Sequence, residues 1–354
     1  MRYVLFGDGE SPHLLKWARA LADVPGLELW AASSRGFMAG FDAVLPASRR
    51  LSLATRPRVQ GGNVGLLTKL PALLRWLQRV QPRWLHAHYL SSHGTLAWLA
   101  LKAPGLRGTG LVASAWGSDI LVAPARSALL RAATRRVLRA AVLATSDSQA
   151  MAERMRQLGA GEVMVFPFGL EAMPAAPASK DDLLWFANRA LEPLYAPHRV
   201  LALFAAAAPA DARLVVAHDG SLRPALEARA HEMGLAARVR FVGRLEADVQ
   251  ARWYAQARWY LSLPESDSVA VSVLEAMAHG CIPVLSDLPA NRELVRPGEN
   301  GLLVAGDAVP AAAEWRALAA RSDAVAAANR RWVEAHALFA PAVQRFLARL
   351  RVSA

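Results

Sequence analysis

Short apolar runs alternate along the chain with longer stretches whose apolar positions recur at helical spacing. Residues 3–6, 27–32, 84–88, 111–115 and 141–145 read as strands. Residues 12–21, 64–80 and 127–140 read as helices. In the second, Leu66, Leu67, Leu70, Leu73, Leu74 and Leu77 lie three and four apart, and Pro12 suits a first helical turn. Strand, loop and helix in repeated order predict a parallel sheet with crossover helices. Residues 169–179, GLEAMPAAPAS, have a linker's composition. The pattern then restarts, with strands at 183–186, 214–217, 239–242, 259–263 and 282–285. Helices follow at 222–233 and 269–278, the latter closed by Gly280 as a left-handed stop. Two such units predict two facing doubly wound α/β domains. Ligands are expected outside the carboxyl ends of the strands, in a cleft between the domains.

Length agrees with that division, since 354 residues at about 150 per domain is two domains. A hydrophobic share of 54% with 20% charged residues excludes a mainly disordered chain. The one cysteine, Cys281, excludes an internal disulfide and a cysteine-based zinc site, and fits a reducing cytosol. The apolar stretches fall short of the roughly 18 residues a membrane helix needs. Residues 3–6 run into Gly7-Asp8-Gly9 too soon for a signal peptide.

The net charge of +12 is unevenly spread. Residues 1–170 hold 21 Lys and Arg against 9 Asp and Glu, whereas residues 171–354 hold 20 of each. The first half is therefore expected to face something anionic: a membrane surface, a phosphorylated acceptor or nucleic acid. Arg126, Arg131, Arg135, Arg136 and Arg139 lie on one segment whose other face is read as Leu129, Leu130, Val137 and Leu138. Arg75, Arg79 and Arg83 add to it. A basic face beside an apolar one fits docking to anionic lipid. Aromatic-rich nucleic-acid motifs are missing, so no nucleic acid is expected as a partner.

The segment LPESDSVAVSVLEAMAHG, 263–280, carries the most chemistry. A strand ends, an acidic loop follows, and a helix begins near Ser268, Val269, Ala270, Val271 and Ser272. A helix start presents unpaired N–H groups and suits a phosphate. Asp267 and Glu275, eight residues apart, can clamp two separated hydroxyl groups, as on a nucleoside diphosphate sugar; a capped helix with a surface carboxylate is the plainer reading of the same spacing.

PESDSVAVSVLEAMAHGCIPVLSD, followed by PANRELV and PGENGLLV, resembles the donor-binding core of glycosyltransferase family 4, retaining sugar transferases of the GT-B fold with two Rossmann-like domains. LHAHYLSSHG, SAWGSDIL and SDSQAMAERMRQLGAGEVMVFPFGLE extend the resemblance over nearly the whole chain. The family's E-x7-E pattern falls on Asp267 and Glu275, with Asp in place of the first Glu. The resemblance implies that Glu275 binds the ribose hydroxyls of the donor, that Asp267 holds hydroxyls of the transferred sugar, and that Arg189 binds the diphosphate. A guanidinium there would stabilise the charge that builds on the leaving group. These donors together imply metal independence, and no cofactor beyond the nucleotide sugar itself.

Three positions depart from the family. Residues 192–199 contain no Lys where one usually follows the Arg, leaving Arg199, His198 or Arg244 as substitutes. Val269-Ala270 replaces Phe-Gly. Trp116 stands where many members have a His.

Other candidates come from local chemistry. Gly7-Asp8-Gly9 lacks the third glycine of a dinucleotide fingerprint, so Gly9 is read as part of a loop in the cleft. His13 and Lys16 on the adjoining helix are acceptor candidates. His86 and His88 alternate along a strand and share a face, so one is expected in the core and one in the cleft. Asp119 reads either as a helix cap or as a substrate contact. Gly220, in His218-Asp219-Gly220, would let a base or phosphate approach.

Together these give a retaining, metal-independent hexosyltransferase. Residues 1–170 with a returning helix in 336–354 would bind the acceptor through Gly9, His13, Lys16, His88, Trp116 and Asp119. Residues 171–335 would bind a UDP- or GDP-linked sugar. The expected acceptor is a lipid-linked saccharide at the cytoplasmic face of the membrane, in cell-surface polysaccharide synthesis. The rivals are a nucleotide-sugar epimerase or phosphorylase of the same architecture, and a non-catalytic basic protein binding membrane or nucleic acid.

Overall fold

The first half forms seven parallel strands, five at the apolar runs read as strands and two short ones besides, the third and the last: β1 (Arg2–Gly7), β2 (Glu28–Ser33), β3 (Arg50–Ser52), β4 (Trp84–His88), β5 (Gly110–Ser114), β6 (Ala141–Ser146) and β7 (Val163–Val165). They lie in the order β3-β2-β1-β4-β5-β6-β7. β1 is central, with Phe6 beside Ala32 on one side and Ala87 on the other. Helices cover both faces of such a sheet, which is why Tyr3, Val4, Leu5 and Phe6 are all buried rather than alternating. The computed structural model describes residues 1–56, 64–177 and 179–352. Ala178, within the expected linker, lies outside the described residues.

The chain divides into two compact units, Met1–Phe166 with Phe339–Ala354, and Pro167–Leu338. In the first, helix Pro12–Ala22 starts on Ser11, whose hydroxyl accepts the His13 N–H, with Pro12 at the first position. Its Trp17 packs edge-on against Phe339 and Phe346 of helix Phe339–Val352, at 5.1 and 5.3 Å between ring centroids. Those aromatic contacts fasten the last helix to this unit, and burying each such ring is worth about 2–3 kcal/mol.

Two helices differ from expectation. Residues Val64–Lys69 form a 3-10 turn, and the α-helix runs only from Leu70 to Val80, because Pro71 fits a first turn and not a helix interior. Leu67 consequently stands half exposed. In the basic helix Ala128–Ala140 the buried positions are Thr134, Val137 and Leu138. Leu129 lies about half a turn of the helical wheel from Leu138 and is 78% exposed, so it belongs with the arginines and not with the apolar face.

The second unit holds β8 (Asp181–Ala187), β9 (Arg213–Ala217), β10 (Val239–Gly243), β11 (Ala257–Ser262), β12 (Ile282–Ser286) and β13 (Leu302–Val304), in the order β10-β9-β8-β11-β12-β13. Alternation along β8 sends Trp185 to one face, with Phe204 and Trp315, and Phe186 to the other, with Tyr254 and Tyr260. Each unit is thus a doubly wound, Rossmann-like α/β layer structure.

The start of the expected linker is tied down. Leu170 N–H donates to Ala337 O at 2.8 Å, and Leu170 bridges Leu338. A Cβ on Gly169 would overlap the Ala337 carbonyl, so only glycine fits this close approach. Lys180 is likewise structural. Its ammonium donates to the carbonyls of Tyr254 (2.6 Å) and Ala257 (2.9 Å) and lies 3.5 Å from Cys281 Sγ, which is fully buried. Burial lowers the Lys180 pKa from its ordinary value. Among the described residues no helix is long and apolar enough to cross a membrane.

Candidate active site

β8 and β11 are parallel neighbours, with Trp185 beside Trp259 and Phe186 beside Tyr260. Their carboxyl ends therefore open side by side. The residues just past β8 meet the loop past β11, although the two are far apart in sequence. Arg189 Nη2 donates to Asp267 Oδ2 at 2.6 Å, and Arg189 Nη1 to Ser272 Oγ at 3.2 Å. The two charged side chains are 18% and 21% exposed. Burial raises the Asp267 carboxyl above its ordinary pKa, with Arg189 pulling the other way. Burial also works against the Arg189 charge, but Asp267 helps to outweigh it and holds the guanidinium above its ordinary pKa. Arg189 is thus a fixed cation at low exposure.

The helix after the acidic loop begins at Val271, two residues later than expected, because Ala270 is extended and it and Val269 are buried in the core below. Its first internal bonds run from Val273 and Leu274 N–H back to Ala270 O. The N–H groups of Val271 and Ser272 thus lack an acceptor within the helix and add two donors beside Arg189. Ser268 is buried, and its N–H closes onto the Asp267 carboxylate at 3.0 Å.

One turn further along, Glu275 Oε2 lies 3.1 Å from Tyr254 Oη and 3.5 Å from Gln250 Nε2. Tyr254 Oη also lies 3.2 Å from Ser272 O and accepts from Asn188 Nδ2 at 2.7 Å. Tyr260 donates to Asn188 Oδ1 at 2.7 Å, and burial pushes its pKa up to about 12. Asn188, Gln250, Tyr254 and Tyr260 were absent from the sequence reading. Their only signal is an amide next to Arg189 and two tyrosines within otherwise apolar surroundings.

The other donor candidates fare differently. Arg244 follows β10 and is exposed. Arg199 cannot serve as the missing second cation, because it is bonded to Leu263 O (3.1 Å), Ser286 Oγ (3.3 Å), Gly306 O and Asp307. Gly220 is needed for a different reason from the one expected: a Cβ there would overlap the Leu191 carbonyl, so the close approach is by the chain itself. The lysine-free segment after Arg189 turns Tyr195 toward it, with the guanidinium carbon 4.6 Å from the ring centroid.

In the first unit, Asp8, Ser11, His13, Leu14, His88, Tyr89 and Trp116 surround a small surface hollow. His13 lies against Trp116 at 4.4 Å between ring centroids. Trp116 Nε1–H donates to His88 Nδ1 at 3.0 Å, so the His88 proton sits on Nε2, which is buried without a partner. Burial, followed by the neighbouring histidines, holds His88 well below its ordinary pKa, and it is neutral. His86 is the core member of the pair, held between Tyr3 Oη (2.8 Å) and Ser114 Oγ (2.6 Å).

Three acceptor candidates are placed otherwise. Lys16 is buried with its ammonium 5.0 Å over the Phe339 ring, and does not line the hollow. Asp119 neither caps its helix, where Gly117 is the cap, nor opens to solvent. It accepts the N–H groups of Leu90 (2.7 Å) and Trp116 (2.9 Å), fixing the two loops that carry Tyr89 and Trp116. Gly9 donates to Ser33 Oγ at 2.8 Å, and a Cβ on it would strike Gly36 and Phe37.

Residues 184–320 match the family model described as glycosyl transferases group 1, and residues 3–148 match that described as glycosyl transferase 4-like. No curated protein matched the sequence. Among solved structures, HepE of Anabaena, in complex with UDP, superposes with a TM-score of 0.78 at 16% identity, covering 99% of this chain and 100% of that one. Sucrose-phosphate synthase from Thermosynechococcus elongatus gives 0.81 at 15% identity, covering all of both chains. The lipopolysaccharide outer core galactosyltransferase WaaB gives 0.69 at 13%, covering 99% of each. At such identities the likeness speaks for the fold. With the two family matches, which between them take in both Rossmann-like units, it establishes that the chain belongs to the family 4-type glycosyltransferases of the GT-B fold.

Proposed function

We propose that this glycosyltransferase is a retaining, metal-independent hexosyltransferase that takes a sugar from a UDP- or GDP-linked donor. The carrying observation is the Arg189–Asp267 pair, held beside Ser272 and Glu275 at the carboxyl edge of the second sheet. Arg189 and the N–H groups of Val271 and Ser272 receive the diphosphate, and their fixed dipoles stabilise the charge it gains as it leaves. Asp267 holds hydroxyls of the transferred sugar. Glu275, oriented by Tyr254, holds the ribose hydroxyls. The acceptor hydroxyl attacks from the side the diphosphate leaves, and a phosphate oxygen takes its proton. The UDP and UDP-glucose complexes of HepE support a nucleotide sugar as donor.

The first unit takes the acceptor, a lipid-linked saccharide used in cell-surface polysaccharide synthesis, at the inner face of the cytoplasmic membrane. Two features support this. The hollow beside Trp116 offers the ring faces of His13 and Trp116, which suit a sugar ring. The arginines at 126, 131, 135, 136 and 139 are all exposed, and so is Leu129 on the same segment, a pattern suited to anionic lipid.

The test is a panel of UDP- and GDP-sugars incubated with lipid-linked saccharides, following nucleotide release and the anomeric coupling of the product by NMR. Nucleotide freed only with acceptor present, retained configuration and indifference to EDTA are expected. Release without transfer, or inverted product, overturns the reading.

A further inference from the structure

Arg189 is gripped by Asp267 and Ser272, and its guanidinium carbon lies over the Tyr195 ring, 4.6 Å from the centroid. The loop carrying Tyr195 is stiff. Pro193–Tyr195 is a 3-10 turn closed by Tyr195 N–H to Glu192 O at 3.0 Å. Ala196 follows at φ +42°, a left-handed conformation that costs a non-glycine residue about 1 kcal/mol. Pro197 then opens the next helix. Glu265 N–H donates to Leu194 O at 3.0 Å, so the turn holding Tyr195 is bonded to the loop holding Asp267. The ring borders a small, mostly apolar pocket lined by Leu191, Pro197, Val200 and Leu263 among others.

The charges nearby make this contact matter. Arg199 is consumed by Asp307 and three other oxygens, and Lys180 by two backbone carbonyls. Arg189 itself is paired with a carboxylate. The pair brings little net charge to a phosphate, so its use depends on where the unbonded guanidinium edge points. A ring face fixes the plane of a guanidinium without competing for its N–H groups.

We propose that Tyr195 is a positioning residue for the donor phosphates, its ring face fixing the guanidinium plane of Arg189. The inference rests on the donor reading above. The ring supplies orientation to Arg189 and no charge of its own. The hydroxyl is not required, and the π face is.

The test uses the full chain with Tyr195→Phe, Tyr195→Leu and Tyr195→Met, each alone and with Arg189→Ala. UDP and GDP binding are measured by calorimetry, turnover with UDP-glucose and its GDP counterpart, and folding by thermal melting. Tyr195→Phe should stay within about twofold of the parent. Tyr195→Leu and Tyr195→Met should weaken nucleotide binding and kcat/KM about three- to thirtyfold at unchanged melting temperature. In the Arg189→Ala background they should add nothing further. Parent-like binding by the leucine and methionine variants overturns the proposal while leaving the donor site intact. So does an equal loss in the Arg189→Ala background, which would mark a merely structural side chain. If the parent binds neither UDP nor GDP, the donor reading fails and this inference with it.

Discussion

Arg189 Nη2 and Asp267 Oδ2 meet at 2.6 Å across the ends of two neighbouring strands, in a place where neither charge is well solvated. Each holds the other in its charged form, so removing one should expose the cost of the other. In Arg189→Ala, only the Ser268 N–H is left to oppose the effect of burial on the Asp267 carboxyl, and its pKa rises further. A carboxyl raised in the folded state contributes its full stability below the unfolded value and loses it as pH rises through the folded one. Urea unfolding should show Arg189→Ala losing about 2 kcal/mol relative to the parent, more at pH 8 than at pH 5. A pH-independent difference would contradict this.

Tyr254 joins Asn188, Ser272 and Glu275 through one hydroxyl. Tyr254→Phe should keep the ring packing and remove this hydroxyl from Glu275. Stability should fall by about 1 kcal/mol and the donor KM should rise about tenfold, with a smaller change in kcat. Steady-state kinetics at saturating acceptor would measure the split.

His86 is buried neutral, its pKa lowered to about 3 by burial. A histidine lowered in the folded state contributes stability above about pH 6.5 and loses it as pH falls toward the folded value. His93, lowered to about 4, adds in the same direction. In His86→Gln the amide can still bond Tyr3 and Ser114. The slope of unfolding free energy between pH 6 and 5 should therefore flatten by about 1.4 kcal/mol per pH unit. Denaturation curves at three pH values suffice to check it.

Gly169 passes so close to Ala337 that a methyl group cannot be placed there. Gly169→Ala should destabilise the second unit by about 2–3 kcal/mol or more, seen as a melting temperature several degrees lower. An unchanged melting point would mean that this approach is not kept in solution.

Arg135, Arg136 and Arg139 stand exposed near Leu129. Changing all three to Glu should lower partition onto phosphatidylserine vesicles by about a hundredfold or more, from about 1 kcal/mol per arginine. Turnover of a soluble acceptor should be unaffected. Cosedimentation in low and high salt reads the effect.

Much of the second unit's site was legible because its parts are adjacent in sequence. Asp267, Ser272 and Glu275 sit on one loop and helix, and helical geometry alone puts the last two on neighbouring turns. Arg189 came from the resemblance, and strand order explains why it meets Asp267. Tyr254, Gln250 and Asn188 were illegible because their meaning lies in contacts between side chains from three elements. Periodicity reports the face of one element at a time. The same limit misplaced Leu129: four leucines and valines were assigned to one face, but the wheel puts Leu129 opposite Leu138. Lys16 reads as an acceptor contact because it is charged, yet its ammonium lies over Phe339 from the far end of the chain. The charge imbalance was visible at once, and only exposure could say which arginines express it.

Cys281, sealed beneath Tyr254 and Ala257, is the only thiol in the sequence. Burial raises its pKa, so it stays protonated and inert toward alkylating reagents. The native chain is therefore already a blank background for maleimide chemistry. Two cysteines engineered at exposed positions would be the only ones to take spin labels or fluorophores, and the distance between them could be followed during turnover without first deleting a native residue.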